Sequence, residues 1–86
     1  MEFEFDSEKS IANKRKHGID FVEAQALWND PNFAEITARS TEEIRNIVVG
    51  MIGEHLWAAI ITYRGNTIRI ISVRRARRGE VGAYET

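Results

Sequence analysis

The sequence predicts a small α+β domain: two N-terminal helices packed on a mainly antiparallel sheet, followed by a short C-terminal helix. Three observations predict it. Helix-capping residues bracket two segments between Asp6 and Pro31, the apolar residues then change from a helical to a strand period, and short glycine-bearing breaks separate the last three apolar runs. With 86 residues there is room for one modest core, so residues 1–86 are read as a single domain.

Glu2 to Phe5 alternates with period two and predicts a short strand with Phe3 and Phe5 on one face. Asp6 is placed to cap a helix over Ser7 to His17, which Gly18 closes as a left-handed residue. Only Ile11 and Ala12 are clearly apolar in that helix, against Lys9, Lys14, Arg15 and Lys16, so it is expected on the surface with a narrow buried stripe. Asp20 and Glu23 read as a capping box, with Ile19 stapled to Ala24, and open a second helix. Phe21, Ala24 and Trp28 face inward there with Leu27 beside them, and Asn29-Asp30-Pro31 ends it.

Four strands are expected at Phe33 to Thr37, Arg45 to Ile52, Leu56 to Tyr63 and Thr67 to Val73, all rich in Ile, Val, Thr and aromatics. Gly53-Glu54-His55 and Arg64-Gly65-Asn66 make the last three an antiparallel meander, and Ala38 to Glu43 reads as a polar loop. On the last strand, alternation sends Ile68, Ile70 and Ser72 one way and Arg69, Ile71 and Val73 the other. One face packs on the helices; the C-terminal segment or a partner covers part of the other. Arg75 to Tyr84 reads as a short or frayed helix, because Gly79 and Gly82 each cost about 1 kcal/mol relative to alanine.

Composition, at 43% hydrophobic and 29% charged, is that of a globular domain. The absence of cysteine excludes disulfides and thiolate metal sites, and two histidines far apart offer no zinc spacing, so neither a metal nor another cofactor is expected. The first residues lack the basic start and apolar run of a signal peptide, and no stretch approaches the roughly 20 apolar residues of a membrane span, so a cytoplasmic protein without membrane contact is expected. No glycine-rich phosphate loop or serine-histidine-aspartate order appears. Net charge is −1, yet residues 1–43 carry −5 and residues 44–86 carry +4. Between Arg64 and Arg78 there are six arginines and no acid, enough positive charge to hold phosphates or an acidic partner.

One pattern runs nearly the length of the chain: Phe5-Asp6, Lys9, Asn13, Lys16-His17-Gly18, Phe21, Glu23-Ala24 and Asp30-Pro31 in the N-terminal half, then Glu43, Arg45, Gly50, Arg69-Ile70-Ile71-Ser72, Arg74-Arg75-Ala76, Glu80 and Tyr84. In this pattern the chain resembles the BrnT family of type II toxins, which are similar in fold to the RelE-like ribonucleases. Phe5 stands where the family often has tryptophan, and Gly79 and Gly82 where its last helix usually has helix-forming residues. The resemblance implies an endoribonuclease that arrests translation and growth. It also implies a ribbon-helix-helix antitoxin (BrnA-like) that neutralises the toxin in a hetero-oligomer and alone contacts DNA. A rival reading keeps the fold without catalysis: a binding module that docks an antitoxin or poisons a DNA-handling enzyme.

Metal-independent RNA cleavage needs a base for the 2′-hydroxyl, cations for the scissile phosphate and an acid for the leaving oxygen. Arginine suits the second role, since its fork donates two parallel hydrogen bonds and stays charged. Arg69 either binds phosphate or pairs with a helix carboxylate such as Glu23. Arg45, Arg64, Arg74 and Arg75 are the further phosphate-binding candidates. Of Arg74 and Arg75, alternation places Arg75 with Arg69; Arg45 otherwise pairs with Glu42 or Glu43. Arg77 and Arg78 either attract RNA or an antitoxin, or are simply solvated. Lys16, His17 and Glu23 are the candidate proton handlers, although Lys16 and His17 also suit a helix C-terminus as plain cations. Glu80 and Tyr84 share a helical face and either join the site or hold the last helix down. Trp28 reads as core, while Trp57 stands between core and base stacking.

Overall fold

The computed structural model describes residues 2–39 and 44–85. The elements are β1 (Glu2–Glu4), α1 (Ser7–His17), a 3₁₀ helix (Glu23–Asn29), β2 (Ala34–Arg39), β3 (Ile44–Ile52), β4 (His55–Arg64), β5 (Thr67–Arg75) and α2 (Arg78–Glu85). The α+β class is the expected one, but the N-terminal part holds one α-helix rather than two. Ala38 and Arg39, expected to open a loop running to Glu43, belong to β2, and the rest of that expected loop, residues 40–43, lies outside the described residues.

The second segment is a 3₁₀ helix because its buried side chains recur every third residue: Phe21, Ala24 and Leu27 are 1%, 0% and 0% exposed. At three residues per turn they stack in one row. Trp28, four after Ala24, is only half-buried and meets Phe3 edge-on at 4.8 Å. The capping box does form: Asp20 Oδ1 accepts from the Val22 and Glu23 N–H groups (2.9 and 2.7 Å), and Glu23 Oε1 accepts from Asp20 N–H (2.9 Å).

Asp6 Oδ1 accepts from the Glu8 and Lys9 N–H groups at the start of α1, and Gly18, at φ 84°, donates to Lys14 C=O at its end. The inward stripe of α1 is polar. Ile11 and Ala12 are exposed, while Ser10 and Asn13 are buried. Ser10 Oγ accepts from Phe21 N–H (2.9 Å). The Asn13 amide donates to Ile19 C=O and Val73 C=O (2.8 and 2.9 Å) and accepts from Val73 N–H (3.2 Å). Val73 lies beyond the short stretch of β5 that β1 pairs, so Asn13 does for that strand edge what a longer β1 would do.

The five strands run β1-β5-β4-β3-β2, with β1 parallel to β5 and the other pairs antiparallel. Ile60 pairs with Ser72 while Ile61 pairs with Ile70, leaving Ile71 as an extra residue: a β-bulge. One face of the sheet, with Val48, Ala59, Ile61, Ile68, Ile70 and Val73, packs on Ile19, Phe21, Ala24 and Leu27 as the main core. A Cβ at Gly50 would come within 3.1 Å of Leu27 Cδ2, so glycine there lets the 3₁₀ helix lie close on β3. The opposite, outer face holds Val49 and Ala58, both fully buried at the end where α2 packs against β3 and β2. That helix forms despite Gly79 and Gly82, three residues later than expected.

Candidate active site

The bulge decides which arginines share a face. Ala58 pairs with Arg74, Ile60 with Ser72, Thr62 with Arg69 and Arg64 with Thr67, so all of these side chains leave the outer face. Without the bulge Arg75 would accompany Arg69, as plain alternation implies. With it, Arg69 shares its face with Arg74, and Arg75 turns to the core side, its guanidinium 5.5 Å from the Trp57 ring centroid. Arg45 lies two residues before Ile47, which pairs with outer-face Ile60, so it joins the same face. Arg45, Arg64, Arg69 and Arg74, from three strands, therefore stand on one side of the sheet.

They are held differently. Arg74 forms a two-pronged bond to Glu80 of α2, Nη1 to Oε1 at 2.7 Å and Nη2 to Oε2 at 2.8 Å, with the side chains 17% and 11% exposed. Glu80 Oε1 also accepts from Arg77 N–H at 2.8 Å, so one carboxylate caps α2 and fastens it to β5. The Arg74 guanidinium holds the Glu80 carboxyl below the usual carboxylate range, and Glu80 raises Arg74 in return. Tyr84 donates to Asp30 Oδ2 (2.7 Å), which also accepts from Met51 N–H (2.8 Å). Bonds from the Met51 and Asn32 N–H groups, then from Tyr84, depress Asp30; Asp30 in turn pushes the Tyr84 phenol up. Glu80 and Tyr84 thus hold the last helix down.

Arg69 has a lighter tether. Its Nη1 donates to Glu4 Oε2 at 3.0 Å, with side chains 28% and 37% exposed. Its carboxylate partner is Glu4 of β1 rather than a helix carboxylate such as Glu23. Parallel pairing sets Glu4 directly beside Arg69, so Thr62, Arg69 and Glu4 form a row across three strands. Arg45 and Thr62 are half-buried and Arg64, at the β4–β5 turn, is exposed. Glu42 and Glu43, the alternative partners considered for Arg45, lie outside the described residues.

The other candidates stand on the layer that covers the core face. Lys16 is exposed and His17 half-buried in the last turn of α1. Glu23, on the 3₁₀ helix, accepts from Lys14 Nζ with both oxygens (2.8 and 3.0 Å), which lowers the carboxyl and raises the amine. Glu4 is the residue the sequence reading passed over. Its signal was the Glu2-Phe3-Glu4-Phe5 alternation, which turns both glutamates away from the phenylalanines.

No helix among the described residues is long and apolar enough to cross a membrane. Nor, among those residues, do three or more of His, Asp and Glu converge as metal ligands. A comparison with curated proteins finds no match. A family model described as "Ribonuclease toxin, BrnT, of type II toxin-antitoxin system" matches residues 5–80, which takes in α1, the whole of β2 to β5, Arg69, Arg74 and Glu80. The chain therefore belongs to the BrnT family of ribonuclease toxins of type II toxin–antitoxin systems.

Proposed function

We propose that the chain cleaves RNA on the outer face of its sheet, at the end that α2 leaves uncovered, without a metal ion. The observation that carries this is the gathering of Arg45, Arg64 and Arg69 on that open end, with Arg69 tethered by one hydrogen bond and half-exposed. Arg69 holds the scissile phosphate, and Arg45 and Arg64 hold the strand on either side. The charge that builds on the phosphate is met by guanidinium groups, which is why no metal is invoked. Arg74 holds α2 on the sheet through Glu80. Arg75 and Trp57 sit across the sheet, and Lys16, His17 and Glu23 would handle protons only for an RNA strand that wraps over the α1 side of β5.

The cellular consequence is arrest of translation and growth in the cytoplasm. Neutralisation falls to a ribbon-helix-helix antitoxin, bound in a hetero-oligomer through which alone DNA is touched. The test is incubation of the purified chain with total RNA, and with ribosomes carrying mRNA, in excess chelator. Cleavage that Arg69→Ala abolishes in a folded protein supports the reading. Cleavage restored only by added divalent metal would overturn its metal-independent part, and intact RNA in both substrates would overturn the whole.

A further inference from the structure

Arg69 presents two edges. Its Nη1 is spent on Glu4 Oε2, while among the described residues no partner meets its Nε–Nη2 edge or the second oxygen, Oε1, of Glu4. The Nε–Nη2 edge is the two-pronged donor that matches a phosphate. A phosphate seated there leaves the Glu4 tether intact, so that one guanidinium holds both the phosphate and the carboxylate. Among the described residues, two other acids of this face are placed or used differently: Glu2, two residues back on β1, is register partner to Thr67 and exposed, and Glu80 is consumed by Arg74.

From this juxtaposition we infer that Glu4 is the general base of the reaction. The inference rests on the ribonuclease reading above. Glu4 Oε1 takes the proton from the 2′-hydroxyl next to the phosphate on Arg69. The 2′-oxygen forms its bond to phosphorus as the phosphorus–5′-oxygen bond breaks. The electron pair of that bond goes to the 5′-oxygen, which takes a proton from water, and Glu4 returns its own proton to solvent. The products are a 2′,3′-cyclic phosphate and a 5′-hydroxyl end. Arg69 thereby has two tasks: it orients the base through Nη1 and stabilises the phosphorane-like charge through its other edge.

The test compares the unaltered chain, Glu4→Gln and Arg69→Ala on the same RNA and ribosome substrates, together with binding of a 2′-O-methylated RNA that cannot be cut. General-base catalysis contributes about 10²–10⁴-fold. Glu4→Gln is therefore expected to lower kcat at least a hundredfold while binding the methylated RNA as well as the unaltered chain does. Retained binding also shows that the variant is folded. Glutamine at this position keeps an oxygen that can accept from Arg69 Nη1, so a purely positioning role would survive the substitution, whereas loss of the base lowers kcat. Cleavage by Glu4→Gln at or above the normal rate, with Arg69→Ala inactive, would overturn the inference and leave the arginine site standing. No cleavage by the unaltered chain on either substrate would overturn both.

Discussion

The two ends of the outer face carry the same residue on the same strand and use it in opposite ways. At the end under α2, Arg74 spends both prongs on Glu80 and is 17% exposed. At the open end, Arg69 spends one nitrogen on Glu4 and is 28% exposed. The difference lies in the partner. Glu80 comes from a helix that packs against β3 and β2, so the pair is part of a packed contact, whereas Glu4 is a neighbour on the adjacent strand β1. An arginine whose fork is filled holds structure, and one whose better edge is unfilled is available to a phosphate.

Changes at either end separate the two uses of arginine. The largest effect is expected from Arg69→Ala, which should reduce RNA cleavage by about 10²–10³-fold, as removal of a charge-stabilising donor does. Its melting temperature should stay near that of the unaltered chain, since half-exposed ion pairs contribute at most about 1 kcal/mol. Glu80→Gln should do the reverse, keeping cleavage per folded molecule and costing about 2 kcal/mol, because a charge-assisted two-pronged bond is lost in a mostly buried place. At roughly 5 °C per kcal/mol for a domain of this size, thermal denaturation should register a fall of about 10 °C. The Glu80 carboxyl is depressed in the folded protein, first by Arg74, so its stabilisation is present above the ordinary carboxylate range and disappears as pH falls through the folded value. Acid titration of stability should consequently be shallower in Glu80→Gln.

Deletion of Ile71 gives a smaller effect and a sharper geometric test. Removing a residue from a central strand ordinarily exchanges the faces of everything after it. Here the bulge already absorbs one residue, so deletion leaves Ile61 opposite Ile70 and Ile60 opposite Ser72, with Arg74 still facing Glu80. The variant should fold, losing about 1–2 kcal/mol for one half-buried isoleucine in a denaturant titration. An unfolded variant would mean the strand is not bulged there. The smallest change is expected for Tyr84→Phe, which loses the bond to Asp30. Its melting temperature should fall less than that of Glu80→Gln.

Local chemistry was legible in the sequence; long-range pairing was not. α1 could be read to the residue because Asp6 and Gly18 mark its ends, and the four later strands because their period and turn glycines agree. The 3₁₀ helix was signalled by Phe21, Ala24 and Leu27 at intervals of three, but Trp28, four after Ala24, favoured an α reading of the same residues. Its half-burial against Phe3 depends on β1, which only the folded chain supplies. Nothing in Ile70-Ile71-Ser72 marks a bulge, so alternation carried Arg75 rather than Arg74 to the face of Arg69. The Glu4–Arg69 contact joins residues 65 apart through a parallel strand pair, which local periodicity does not report.

The open end of the outer face is the proposed RNA site. The direct measurement is an NMR titration of the full chain with a 2′-O-methylated RNA oligonucleotide, following backbone and arginine side-chain signals. Shifts concentrated at Arg45, Thr62, Arg64, Thr67, Arg69 and Glu4, with α1 unmoved, are the predicted result. Shifts confined to Lys16, His17 and the last turn of α1, with Arg69 unmoved, would contradict it.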